Sequence, residues 1–162
     1  MTLTIRPAVP LDRERIHQIL VTTAVFNQEE IDAAMELVDL AFRHSQRREY
    51  TVQVITGGES EDGMPLGYVC YGPTPRTEGV FDLYWIAVDP ARQGQGLGQL
   101  LLRFVEGAVR KREGRMLLIE TSSRRSNEPT IRFYRRSGYE EISRIKDFYR
   151  IKDDKVVFSK EL

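Results

Sequence analysis

The residues best able to do chemistry lie in one stretch, Val88-Asp89-Pro90-Ala91-Arg92-Gln93-Gly94-Gln95-Gly96-Leu97-Gly98, which sets three alternate glycines between a strand-like run and an amphipathic helix. Without Cβ atoms, Gly94, Gly96 and Gly98 let the backbone approach a ligand closely, and N–H groups ahead of a helix donate to phosphate oxygens. The chemistry implied is capture of a pyrophosphate. A Walker-type loop needs Gly-Lys-Ser/Thr, and no lysine stands between Asp89 and Arg110, so a nucleoside triphosphatase is not expected. A dinucleotide fingerprint spaces its glycines G-x-G-x-x-G near the start of a doubly wound domain, whereas here the spacing is G-x-G-x-G past the middle of the chain. The competing reading is a tight turn that needs small residues for packing alone. Outside the turn, Glu120 interrupts the apolar run Met116-Leu117-Leu118-Ile119, where a charge is costly unless it faces a polar cleft.

The flanking elements must hold that turn. Phe81 to Val88 is rich in aromatic and β-branched residues and reads as a strand that Pro90 ends; Asp82 then shares a face with Tyr84 and Ile86 on regular pleating. Leu97, Leu100, Leu101, Phe104, Val105, Ala108 and Val109 mark one face of a helix. Upstream, Thr2 to Arg6 reads as a strand and a helix begins near Leu11. A second helix follows Asn27, an N-cap with Glu30 at the capping-box position and a stripe through Ile31, Ala34, Met35, Val38, Ala41 and Phe42. Tyr50 to Thr56 and Pro65 to Gly72 are two strands joined by the polar connection 57–63. Downstream come a strand, Arg115 to Thr121, a short helix near Glu128 to Ser137 closed by Gly138, and two strands through Ile142 and Val156-Val157-Phe158 around an Asp153-Asp154 turn. No repeat or linker interrupts the order, so residues 1–162 read as one α/β domain.

Composition narrows the class. The 162 residues suffice for a core without staples, and a lone cysteine, Cys70, excludes an internal disulfide and suits a reducing, cytoplasmic setting. Neither a signal peptide nor a membrane-spanning run is expected. With 24 basic and 24 acidic side chains, a dedicated nucleic-acid binder is not expected. The balance is uneven: residues 1–90 carry 7 basic and 14 acidic side chains, residues 91–162 carry 17 and 10, so the half bearing the glycines favours a polyanion. His17 and His44 have no metal-ligand spacing with Cys70, so no metal is expected. Cys70 and Trp85 are expected in the core.

Gln93, Gly96 and Gly98 behind Ile86-Ala87-Val88-Asp89-Pro90 match the pattern Gln or Arg, two residues, Gly, one residue, Gly or Ala, and by this the chain resembles the GNAT superfamily of N-acetyltransferases. The order of elements is similar as well: the resemblance implies the GNAT fold, a mixed, mostly antiparallel central sheet flanked by about four helices. It implies acetyl-CoA as acyl donor, held by Ile86, Ala87, Val88, Gln93, Gly94, Gly96, Leu97 and Gly98. Asn127, Phe133-Tyr134 and Gly138-Tyr139 resemble the downstream motif of the superfamily, with Thr130 and Tyr139 departing from its usual Ala and Phe. The match implies that Asn127 contacts the pantetheine arm and Tyr134 faces the sulfur; the alternatives are a helix cap and a core aromatic. The resemblance further implies a bulge in the Asp82 strand and splaying of that strand from the one carrying Glu120.

Acetylation of an amine sets the remaining requirements. A protonated amine, with a pKa of about 10, cannot attack a thioester until a carboxylate or an ordered water takes a proton. Asp82 and Glu120 resemble the acids of two GNAT branches, with Glu120 the first choice; the alternative for each is an ion pair with one of the arginines. Backbone N–H groups at the bulge would hold the oxyanion, and Tyr134 would protonate the leaving thiolate. Tyr149 is a candidate acceptor contact. Three functions stay open: an N-acetyltransferase of small amines or amino acids, a protein N-terminal or lysine acetyltransferase, and a CoA-binding regulatory module without turnover. An exposed edge at Val156-Val157-Phe158 would admit a homodimer.

Overall fold

The computed structural model describes residues 2–58 and 63–162, so the connection expected over 57–63 lies partly outside the described residues. One sheet runs in the order β1-β2-β3-β4-β5-β7-β6. Its strands are β1 Leu3–Pro7, β2 Thr51–Gly57, β3 Pro65–Pro73, β4 Val80–Val88, β5 Met116–Ser122, β6 Glu140–Arg150 and β7 Asp153–Glu161. The helices are α1 Arg13–Thr22, α2 Gln28–Arg43, α3 Leu97–Lys111 and α4 Glu128–Arg136. Neighbouring strands are antiparallel except β4 and β5, which is the mixed, mostly antiparallel sheet and element order expected. No helix among the described residues is long and apolar enough to cross a membrane.

The apolar stripes give three layers. Ile16, Ile19 and Leu20 of α1 and Ile31, Ala34, Met35 and Val38 of α2 bury against Val52, Val54, Tyr68 and Cys70 on one face. Leu97, Leu101, Leu102, Val105 and Val109 of α3, with Tyr134 of α4, bury against Phe81, Leu83, Leu117, Ile119 and Phe158 on the other. The capping box of α2 forms as its sequence requires: Asn27 Oδ1 accepts from Glu30 N–H (2.8 Å), and Glu30 Oε1 accepts from Asn27 N–H (3.1 Å).

Four expectations need correction. The buried face of α3 is rotated: Leu100 and Phe104 are exposed, while Leu102 and Glu106 go inside. Glu106 is only 5% exposed because Lys160 Nζ (3.0 Å) and the Tyr139 hydroxyl (3.0 Å) both donate to its carboxylate, a pairing across three elements that no local period reveals. The run Val156-Val157-Phe158 is no edge, since β7 inserts between β5 and β6 and leaves β6 outermost. The final turn lies at Ile151-Lys152, and Asp153 opens β7, buried under a hydrogen bond from the Ser122 hydroxyl.

The most consequential departure is in β4. Cys70 pairs with Trp85 and Tyr71 with Leu83, so Tyr84 is an extra residue, a β-bulge. Tyr84 and Trp85 therefore both face the α1–α2 layer, and Ile86 turns to the α3 layer. Asp82 and Ile86 do not share a face, because the bulge breaks the pleat between them.

Candidate active site

Strands β4 and β5 pair from Val80↔Met116 to Leu83↔Ile119 and no further, although β4 continues to Val88 and β5 to Ser122. Pairing stops where the bulge re-aims β4. Beyond Leu83 the edge of β4 that faces β5 has no strand partner, so its peptide groups open into a cleft. Two cavities meet there, sharing Phe26, Ile86 and Thr130 as a neck.

The first cavity, of about 720 Å³, draws half of its lining residues from the end of β4, the glycine turn and the start of α3. Ile86, Ala87, Val88, Gln93, Gly94, Gly96, Leu97 and Gly98, all singled out from sequence, line it together. Asp89 shapes the turn: its carboxylate accepts from Ala91 N–H (3.0 Å), its N–H donates to the Leu66 carbonyl (2.8 Å), and Arg15 holds it from α1. The Ala91 N–H and the Arg15 guanidinium hold its carboxyl below the usual aspartate range. Gln93 Nε2 donates to the Val88 carbonyl (3.3 Å), folding the turn back on the strand.

Gly94 and Gly96 adopt φ of +78° and +82°, conformations that side chains rarely take, and a Cβ on either would meet nothing in the protein. Both face open space. Gly98 also lines the cavity, but its Cβ position lies 3.5 Å from the Phe133 ring, so it packs α3 on α4 as well. Gly96 caps α3, leaving the first-turn N–H groups free of intrahelical partners beside Arg92 and Arg136. Peptide donors, a helix N-terminus and two guanidiniums fit a pyrophosphate.

The second cavity, of about 480 Å³, is lined by residues from distant segments. Asp82, Glu120, Tyr134 and Asn127 line it, so the predicted acids and the tyrosine come together. Asn127 does so on the far side of the neck from the glycines. It occupies the N-cap position of α4 without capping it by side chain; its buried amide donates instead to the Ser122 carbonyl (3.0 Å), holding the end of β5. Tyr149 also lines this cavity.

The two acids differ. Asp82 is half-buried, and burial pushes its carboxyl above the usual aspartate range; the Glu120 carboxylate pushes the same way, while hydrogen bonding from Thr74 Oγ1 (2.7 Å) and from Tyr84 pulls part of it back. The Glu120 side chain is 52% exposed with Lys155 Nζ at 3.5 Å, so its partner is a lysine rather than an arginine. The Tyr134 ring packs edge-on against Tyr139 and tilted against Phe158, and burial raises its phenol well above the ordinary tyrosine range. A hydroxyl so placed stays protonated. Cys70 is fully buried with its thiol pushed up to about 12, which suits a core residue and not a nucleophile.

Several lining residues escaped the sequence reading. Phe26, in the α1–α2 connection, stacks edge-on against Trp85 at 5.4 Å; Trp85 is half-buried and borders the cavity instead of lying wholly in the core. Tyr84, Arg92, Arg124 and Arg136 were not singled out either. A large aromatic in a five-residue connection between two helices, as Phe26 is, was an available signal.

Residues 14–139 match the model of the Acetyltransferase (GNAT) family. Over 97 residues the chain is 31% identical to N-alpha-acetyltransferase RimI of Mycobacterium tuberculosis, a match covering 58% of this chain and 57% of that relative, little more than half its length. A crystal structure from Desulfovibrio desulfuricans, assigned to the GNAT family, is 42% identical with a TM-score of 0.91 and 99% of each chain covered. Ard1 from Thermoplasma volcanium, 21% identical, has the same fold, with a TM-score of 0.77 over 100% of this chain and 99% of that one.

Proposed function

The chain belongs to the GNAT family of acetyltransferases, and from that premise we propose that it transfers acetyl from acetyl-CoA directly to a primary amine of a small molecule or amino acid. The observation that carries this reading is the divergence of β4 from β5, which joins the glycine turn to a chamber holding two carboxylates and a phenol. Acetyl-CoA supplies a thioester whose carbonyl carbon accepts an amine and whose sulfur leaves as thiolate. The first-turn N–H groups of α3, with Gly94, Gly96, Arg92 and Arg136, would hold its phosphates, and Ile86 to Val88 would line its arm.

Asp82 is the better-supported base. Its carboxyl is held above the ordinary range by burial, closer to the pH at which it must take a proton from an ammonium, and Glu120 beside it favours a shared proton. As the C–N bond forms and the C–S bond breaks, unpaired peptide N–H groups of β4 beyond the bulge would stabilise the carbonyl oxygen; one such donor contributes roughly 3 kcal/mol. The Tyr134 hydroxyl would donate to the departing sulfur, and Asn127 keeps the β5 wall in register for both.

A second reading, transfer to the α-amine of a peptide, is favoured by the likeness to a relative named as an N-alpha-acetyltransferase. Acetyl-CoA-dependent thiol release with polyamines, amino acids, aminoglycosides and short peptides tests both. The expected result is turnover only with an amine present, and a Tyr134→Phe variant with kcat reduced about 10- to 100-fold at little change in KM for acetyl-CoA. Tight CoA binding with no amine acetylated would overturn the enzymatic reading in favour of a CoA-binding module.

A further inference from the structure

Beyond the last β4–β5 pair, Leu83↔Ile119, no strand hydrogen bond spans the cleft, so what crosses it there is side chains. Arg124, in the connection after β5, reaches over the cleft to the α1–α2 connection, where its Nη2 donates to the Val25 carbonyl (2.8 Å) and to the Glu30 carboxylate. Both ends of this bridge are anchored. On the β5 side, Arg124 Nε donates to Ser126 Oγ (3.1 Å), and Arg124 N–H donates to Ser122 Oγ (3.2 Å), whose own proton goes to buried Asp153. On the other side, Glu30 is the carboxylate that closes the capping box of α2. A second crossing, Arg150 to Glu29 at 3.6 Å, has side chains 58% and 87% exposed and contributes little, whereas those of Arg124 and Glu30 are 24% and 26% exposed.

The position of the bridge matters more than its strength. Val25 and Phe26 face Ser126 and Thr130 across the first cavity, while Phe26 and Glu30 face Arg124 and Thr130 across the second. Arg124 therefore ties the two walls together at the neck. A slender acyl arm running from the phosphate turn to the carboxylates has to pass through that neck, and a cleft open along one side would let it leave sideways.

We propose that Arg124 is a positioning residue: a clasp that sets the width of the neck and retains the acyl donor. The inference rests on the acetyl-transfer reading, but its test does not depend on turnover. Dissociation of CoA is followed by stopped flow in the wild type, Arg124→Ala, Arg124→Lys and Glu30→Gln. In Arg124→Ala the rate rises about tenfold and KM for acetyl-CoA rises in step, while kcat at saturating donor stays within about threefold, since no reacting atom is touched. Lysine restores only part, because its single ammonium cannot reach the Val25 carbonyl and the Glu30 carboxylate while also keeping the bond that Arg124 Nε makes to Ser126 Oγ. Glu30→Gln, which keeps an acceptor for the Asn27 N–H, moves the rate the same way by less and carries the test should Arg124→Ala not fold. Thermal melting separates loss of the clasp from loss of the fold. Release of CoA at the wild-type rate from Arg124→Ala overturns the clasp and leaves acetyl transfer standing; a wild type that does not bind CoA overturns both.

Discussion

The two cavities meet at one neck and are made of different material. On the donor side, one stretch of chain, residues 86–98, supplies half of the lining residues, and two glycines at positive φ set the shape of its turn. On the acceptor side, the lining comes from the α1–α2 connection, α2, β4, β5, the loop before α4, α4 and the β6–β7 hairpin. A backbone site is encoded where it is built, so spacing in the sequence reveals it. A side-chain site exists only once distant segments have docked, and it also changes more readily, since single substitutions reshape it without disturbing a turn. Common donor chemistry with variable acceptors is the behaviour expected of such a division.

The difference is sharpest for substitutions that leave the backbone alone. Asp82→Asn on the acceptor side is expected to lower kcat about 10²–10⁴-fold with donor affinity unchanged. In the wild type the rate falls as acid protonates Asp82, and this limb lies above the ordinary aspartate range because burial raises the carboxyl. The variant lacks that limb. Stability moves the other way: a group whose pKa is raised on folding stabilises the protein below its unfolded pKa and loses that contribution as pH rises through the folded value. The variant should melt above the wild type at neutral pH, with the difference closing toward acid. Full turnover in Asp82→Asn together with its loss in Glu120→Gln would transfer the base assignment to Glu120.

Legibility in the sequence followed the same division. The capping box at Asn27 and Glu30, the apolar stripe of α2 and the glycine turn are local patterns, and each forms as its residues dictate. The Tyr84 bulge does not show in Phe81 to Val88, which reads as regular strand; it depends on the register with β3, and it moves Ile86 to the opposite face. The place of β7 between β5 and β6 is a choice of topology that no spacing within either strand encodes. Glu106 looks like a surface residue of α3 until Lys160 and Tyr139 arrive from elsewhere. What remained hidden in the acceptor site, Phe26 and Arg124 above all, is contributed by loops whose place depends on that assembly.

On the donor side a backbone change should do what a side-chain change does opposite. Gly96→Ala forces a residue with a Cβ into φ near +82°, at a cost of about 1–2 kcal/mol, or a few degrees in Tm for a chain of this size. Its Cβ would meet no protein atom, so it projects into the space assigned to the donor. KM for acetyl-CoA is expected to rise about tenfold, with kcat at saturation held near the wild type. An unchanged KM measured by initial rates would mean that the donor does not lie against Gly96.

The smallest effect is expected two residues on. Gly98 has ordinary helical φ, and an added methyl would lie 3.5 Å from the Phe133 ring and 3.9 Å from a Val88 methyl, normal contact distances within the protein. Alanine in the first turn of α3 also restricts the unfolded chain more than glycine does, so Gly98→Ala should raise stability by about 0.4–1 kcal/mol. KM for acetyl-CoA should stay within about twofold of the wild type. The pair Gly96→Ala and Gly98→Ala therefore separates a glycine required by the ligand and by φ from one whose place in α3 tolerates a methyl. Equal KM increases in the two variants would mean that the donor presses on the backbone through the first turn of α3, and that packing against Phe133 is not what makes a small residue suit position 98.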